Sequence, residues 1–245
     1  MKIAAISDIH GNLSALQAVL ADIENECVDL VINLGDILSG PLYPSETASL
    51  LMQLDYPTIK GNHERQLLSG NNLGESDSYA LNVISNEQKH WLSQLPTEIL
   101  INDDIYLTHG TPENDLTYML ETVTEQGITP TPENTVKQYL RNIDASLILC
   151  GHTHIPNLLR LDNGQLVVNP GSVGLQAYDD TYPFYHKMES GSPHARYAVI
   201  EGTSFNWEVN FKRVTYDWHA AALQAKNNNR NDWMIPLKTG RVGKV

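Results

Sequence analysis

Five places along this chain repeat one pattern, in which a short apolar run ends beside a glycine and a side chain able to bind a metal. Ile3–Ile6 runs into Asp8, His10 and Gly11, and Leu30–Leu34 runs into Gly35 and Asp36. Pro57–Ile59 leads to Gly61, Asn62 and His63, Ile105–Leu107 to His109 and Gly110, and Leu147–Cys150 to Gly151, His152 and His154. The potential ligands are therefore Asp8, His10, Asp36, Asn62, His109, His152 and His154. If one carboxylate is shared, and Asp36 is the expected bridge, two ions receive four protein ligands each. Imidazole, carboxylate and amide oxygen together suit Mn²⁺, Fe, Zn²⁺ or Ni²⁺ rather than Ca²⁺ or an iron–sulfur cluster, with manganese the first choice in vitro. Two divalent cations against the carboxylates of Asp8 and Asp36 leave a positive shell, which favours an anionic phosphate and a bridging hydroxide. Paired metals about 3.5–4 Å apart can clamp the attacking and leaving oxygens of an in-line displacement. Phosphate-ester hydrolysis is the reaction this set fits best.

The elements that must carry these residues follow from hydrophobic spacing. Residues 2–7 read as a buried strand. Leu13, Leu16, Val19, Leu20 and Ile23 recur at helical spacing, which predicts a helix over 13–26 returning to a strand at 30–34. A helix near 44–54 and a strand at 57–60 make a second β–α–β unit. In open α/β sheets ligands bind beyond the carboxyl ends of the strands, where the polar groups above all fall.

The middle of the chain is less regular. Ser85 and Gln88 form a capping-box pattern before a helix that Pro96 ends, and Asn102-Asp103-Asp104 joins two short strands as a hairpin. Residues 112–145 read as two helices separated by 127–132, forming either a partial lid over the site or outer-layer packing. Asp162-Asn163-Gly164 is the strongest hairpin signal. Residues 175–195 read as a long surface loop, in which Tyr178, Tyr182 and Tyr185 could stack on a base or merely fill space. Strands are expected at 197–200 and 206–214, with Trp207 and Phe211 in the core, then a helix at 215–226. The domain is thus expected over 1–226, followed by a basic tail at 227–245. Arg230, Lys238, Arg241 and Lys244 against Asp232 leave that tail at +3 and the rest at −16. It could fray, or dock through Trp233-Met234-Ile235 on the acidic body or on a second copy of the chain.

Asp8-Ile9-His10, Gly35-Asp36, Gly61-Asn62-His63-Glu64, His109-Gly110 and Gly151-His152-Thr153-His154 resemble, in order, the motifs of calcineurin-like metallophosphoesterases. Asn169-Pro170-Gly171-Ser172 resembles the small prokaryotic phosphodiesterase branch. The resemblance implies a four-layer α/β/β/α sandwich of two mixed sheets. It implies Asp8, His10, Asp36 and His154 around one metal, and Asp36, Asn62, His109 and His152 around the other. It makes His63 the general acid that protonates the leaving oxygen, and Asn12 a weaker candidate for touching phosphate, although Asn12 could also cap the following helix. After Asp36 the protein-phosphatase branch has an Asp-Arg-Gly triplet where this chain has Ile37-Leu38-Ser39-Gly40, which argues against a phosphoprotein substrate. The expected substrate is a small phosphodiester, nucleotide or phosphomonoester. The alternatives are a dinucleoside polyphosphate or pyrophosphate hydrolase, and an inactive metal-binding scaffold.

Composition narrows the classes further. A net charge of −13 argues against non-specific nucleic-acid binding. Cys27 and Cys150 offer no disulfide framework or zinc-finger spacing and read as small core fillers in a reducing compartment. With no signal peptide and no long apolar run, a cytoplasmic location is expected. His90, His186, His194 and His219 lack ligand spacing and read as surface or packing residues.

Overall fold

The structure, a computed structural model, describes residues 1–243; Lys244 of the basic tail lies outside them. β1 (Lys2–Ile6) crosses through α1 (Leu13–Glu26) to β2 (Leu30–Asn33), and the two strands pair in parallel with Ala4 opposite Val31. α2 (Pro44–Leu54) begins with a proline, whose missing N–H costs nothing in the first helical turn. The expected strand at 57–60 shrinks to one bridge between Thr58 and Asn33. Pro57 has no N–H to donate, and the chain turns into the site at Gly61 before a ladder can form.

Two helices follow that hydrophobic spacing did not announce, α3 (Asn62–Ser69) and α4 (Glu75–Val83). α5 (Asn86–Gln94) has the expected capping box: Gln88 N–H donates to Ser85 Oγ, and Gln88 Oε1 accepts from Ser85 N–H. β3 (Glu98–Ile101) and β4 (Ile105–Thr108) form the expected hairpin.

Residues 112–145 do not form two helices. Their centre is a hairpin of β5 (Glu121–Thr124) and β6 (Gly127–Pro130), followed by the short α6 (Glu133–Tyr139). Thr122, Val123, Thr124, Ile128 and Thr129 are β-branched and favour a pleated surface over a helix. β7 (Leu147–Leu149), β8 (Asn157–Arg160) and β9 (Leu166–Asn169) come next. The segment read as a surface loop contains a second hairpin, β10 (Ala177–Asp180) with β11 (His186–Glu189), whose Tyr178, His186 and Met188 share the face turned inward. β12 (Ala195–Thr203), β13 (Asn206–Val214) and α7 (Trp218–Asn227) lead to a turn at Asn231–Trp233 and α8 (Met234–Thr239).

Two mixed sheets result, ordered β13-β12-β1-β2 and β3-β4-β7-β9-β8. Alternate residues of each strand enter different cores, as the pleat requires. Ile3 and Ala5 meet Leu107, Leu147, Leu149 and Ala198 between the sheets. Ala4 and Ile6 face Leu16, Val19 and Leu51 of the helical layer on one side. Ile148 and Val167 face Met119, Leu120, Val136 and Leu140 on the other. The layers are therefore α/β/β/α.

Two smaller expectations are corrected, and of the alternatives for the tail one is observed. Cys27 is exposed, since it caps α1 at φ 50° outside the core, and Phe211, last in the inward-facing row of Trp207 and Val209, is 36% exposed at the end of that row. The tail is packed on this chain's own body, with Trp233 buried in the helical core. Among the described residues no helix is long and apolar enough to cross a membrane.

Candidate metal centre

The site lies where β1, β2, β4 and β7 end, and the backbone there is strained. Asp8, His10, Asp36, His152 and His154 all have φ between 51° and 71°, a region that non-glycine residues rarely occupy. Each such residue costs on the order of 1–3 kcal/mol, which the surrounding structure must offset. The loops are held by mutual hydrogen bonds: Asp8 N–H donates to Gly35 O, His10 N–H to Asp36 O, Gly174 N–H to Asp8 O and Gly151 N–H to His109 O. At two glycines the loops approach too closely for any side chain. A Cβ on Gly61 would lie 2.1 Å from Asp36 Oδ1, and one on Gly151 would lie 2.2 Å from Ser7 Oγ.

The side chains converge as two groups. Asp8, His10 and His154 bring ligand atoms within 4.8 Å of one another, and so do Asp36, His109 and His152. His10, His109 and His154 each set Nδ1 against a backbone carbonyl (Ser39, Leu34 and Leu175, at 2.7, 2.7 and 2.6 Å). That bond fixes the proton on Nδ1 and turns the Nε2 lone pair inward, the arrangement ligating histidines adopt. His152 is reversed: its Nε2 lies 3.3 Å from Leu116 O, leaving Nδ1 as the free nitrogen.

Whether these residues suit a cation can be judged from what they lack. His10 Nε2 and His154 Nε2 face each other at 3.1 Å with both protons committed elsewhere, so neither has a hydrogen to offer. Asp8 Oδ2 and Asn62 Oδ1 are buried without a hydrogen-bond partner. His109 Nε2 is 3.1 Å from Asp36 Oδ2 but not aligned to donate to it. Opposed lone pairs and orphaned buried oxygens are costly alone and satisfied by a cation. The donor set fits metal.

Electrostatics point the same way. Burial works against charge on His109, yet Asp36 and Asp8 raise it to about 10, so without metal its Nε2 carries a proton where a cation would replace it. Burial pushes the Asp36 carboxyl up, but His109 and His63 outweigh it and hold it well below the usual carboxylate range. Burial and the neighbouring rings push His10 and His152 down to about 3, so both are neutral, as ligands must be.

His63 sits at the start of α3, beside Asn62. Its backbone N–H donates to Asp36 Oδ1 at 3.0 Å, and its ring stands edge-on to His10 with centroids 5.4 Å apart. Asn12 is committed elsewhere. Its amide donates to Gly174 O and Tyr216 OH, and its carbonyl caps α1 by accepting Ala15 N–H. Its polar atoms are thus engaged inside the fold, in the capping role the sequence also offered.

A cleft of about 1020 Å³ opens over His10, Asp36, Asn62, His63, His152 and His154. Its walls come from β5, from β10 and the turn after it, and from the C-terminal segment. Tyr178 stands against the His154 ring and Tyr118 against His152, their hydroxyls 2.7 Å apart. His186, read as a surface or packing residue, packs here: it is buried, with Nε2 2.9 Å from Tyr118 OH.

The sequence pattern of the calcineurin-like phosphoesterase superfamily domain matches residues 1–189. The chain belongs to that superfamily. A metallophosphoesterase from Sphaerobacter thermophilus has a similar structure, with a TM-score of 0.76, 25% identity, and 98% of this chain and 99% of that one covered. The uncharacterized protein MJ0912 of Methanocaldococcus jannaschii is 28% identical, with 95% of each chain covered. A putative diadenosine tetraphosphatase shares the fold at a TM-score of 0.54 and 19% identity, covering 86% of this chain and 93% of that one. This phosphoesterase is a hydrolase acting on phosphoester bonds. Its cleft nevertheless borders Arg230 and Trp233, which lie beyond the matched residues.

Sequence spacing missed three contributors. Glu64 is buried and accepts the backbone N–H groups of Asp36, Ile37 and Gly61. Its place three residues after Gly61 was the available signal. Asp77 reaches the site only through tertiary packing and gave none, and Trp233, read as a docking residue, gave no sign that it would stand beside His10.

Proposed function

We propose that this phosphoesterase hydrolyses a small phosphodiester or phosphomonoester with a pair of divalent metal ions. Asp8, His10, Asp36 and His154 would hold one ion, Asp36, Asn62, His109 and His152 the other, with Asp36 shared. The observation that carries this reading is the set of histidines whose Nδ1 protons are tied to carbonyls while their free nitrogens converge with Asp8 and Asp36. When bound, such a pair lowers the pKa of water and neutralises phosphate charge. The chain's own residues do the rest. His63, raised to about 9 by Asp36 and Asp77 despite burial, carries a proton at neutral pH. Its Nδ1 is taken by Asp77, so the proton it gives to the leaving oxygen leaves from Nε2.

The cleft favours a phosphoester over a polyphosphate. Beyond the ligands it is bordered by Glu121, Asp179, Asp180 and Asp232 against Lys187 and Arg230, so added phosphates meet an excess of carboxylates. Metal-free protein given Mn²⁺ should turn over bis(p-nitrophenyl) phosphate or p-nitrophenyl phosphate faster than diadenosine tetraphosphate. The reverse order would move the assignment to anhydride hydrolysis. No turnover with two ions bound would leave the scaffold reading.

A further inference from the structure

We infer that Asp77 is a positioning residue for His63, and that Arg230 of the C-terminal segment holds the turn that carries it. The inference rests on His63 acting as the acid.

The Asp77 carboxylate is buried, with 4% of its side chain exposed, and its Oδ1 lies 2.9 Å from His63 Nδ1. A carboxylate at that place makes Nδ1 the donor and turns the ring so that Nε2 faces the cleft. The imidazole has few other restraints: it is 29% exposed, and Asp77 is its one polar side-chain partner among the described residues. Free rotation about its side-chain bonds would scatter Nε2, and proton transfer falls steeply with misplacement.

Asp77 needs support, because it sits in the first turn of α4 after the loop Gly70–Gly74. Arg230 supplies it. Its Nη1 donates to Ser76 Oγ at 2.8 Å, and its Nε is 3.3 Å from Glu75 Oε2, so it grips the two residues before Asp77. Asp232 accepts from the same guanidinium, whose centre lies 5.7 Å from the Trp233 ring. Trp233 is buried and stands edge-on to His10. A connected path therefore runs from the metal-site ring of His10 through Trp233 and Arg230 to the turn bearing Asp77, and back to His63. The segment beyond the family-matched residues completes the acid's setting.

The test compares two diesters. Diphenyl phosphate releases a basic phenolate that needs a proton; bis(p-nitrophenyl) phosphate releases one that hardly does. Asp77→Ala should lower kcat on diphenyl phosphate about 10- to 100-fold and on the nitrophenyl ester about 3-fold or less. Asp77→Glu should recover part of the loss, Arg230→Ala should show the same selectivity more weakly, and Asp77→Ala should add nothing in a His63→Ala background. Asp77→Leu, close in size and unable to accept a hydrogen bond from His63 Nδ1, repeats the comparison if the alanine variant folds poorly. Equal losses on both esters, or losses that multiply with His63→Ala, would overturn the inference. If His63→Ala itself slows both esters equally, the acid assignment fails instead.

Discussion

Glu64 accepts the backbone N–H of Asp36 at 2.9 Å, so the residue expected to join the two ions is held by a carboxylate from the first turn of α3. The same side chain takes Ile37 N–H at 2.8 Å and Gly61 N–H at 2.9 Å, locking two loops together. Removing a buried acceptor leaves those donors unsatisfied, at about 1–3 kcal/mol each. Glu64→Ala should lower the melting temperature and weaken metal binding together. A variant with normal stability and normal metal content would remove Glu64 from this role.

Asn62 should be separable from the other ligands. Its buried Oδ1 has no hydrogen-bond partner, so Asn62→Ala removes a ligand without orphaning a neighbour. We expect bound metal to fall from two ions per chain toward one and most activity to go with it. Unchanged stoichiometry, read by elemental analysis, would show that the second ion does not depend on Asn62.

Gly61 tolerates no side chain. A Cβ there would overlap Asp36 Oδ1 at 2.1 Å, and that oxygen cannot retreat without releasing His63 N–H. Gly61→Ala should therefore abolish activity even where circular dichroism shows a folded chain. Retained turnover would mean that the Asp36 loop can move without loss.

The metal-free protein should lose stability on the alkaline side. His63 and His109 are raised to about 9 and about 10, above the ordinary histidine value near 6.5. The folded state keeps protons that the unfolded state releases. Their contribution is complete below about 6.5 and is lost as pH rises through 9 to 10. His10 and His152 do not oppose this, being neutral in both states above pH 7. Chelated protein should melt lower at pH 9.5 than at pH 7, and bound Mn²⁺ should shrink the difference by replacing the His109 proton. An equal pH response with and without metal would contradict this.

The site was legible because its residues stand at strand ends, where apolar runs and glycines mark the turns into it. α1 and β1 were legible because Leu16 and Val19, and Ile3 and Ala5, repeat at the periods of their elements, and α5 was legible from its capping box, whereas the two-sheet sandwich was read from the family resemblance. β5 and β6 were not, because most of their residues are exposed or half-buried and leave no apolar alternation to read. α3 was hidden because its first residues are the ligand Asn62 and the acid His63, chosen for chemistry rather than amphipathicity. Asp77 and Arg230 lie far apart in sequence and meet only through folded packing. The tail docks because Trp233 gains a buried place beside His10, which its basic residues could not foretell.

The central claim is that Asp36 is shared between two cations. Crystals grown with Mn²⁺ and measured near the manganese absorption edge would locate the ions directly. The account predicts two anomalous peaks about 3.5–4 Å apart, each within ligand distance of an Asp36 oxygen. A single peak, or a pair with Asp36 bound to only one, would contradict it.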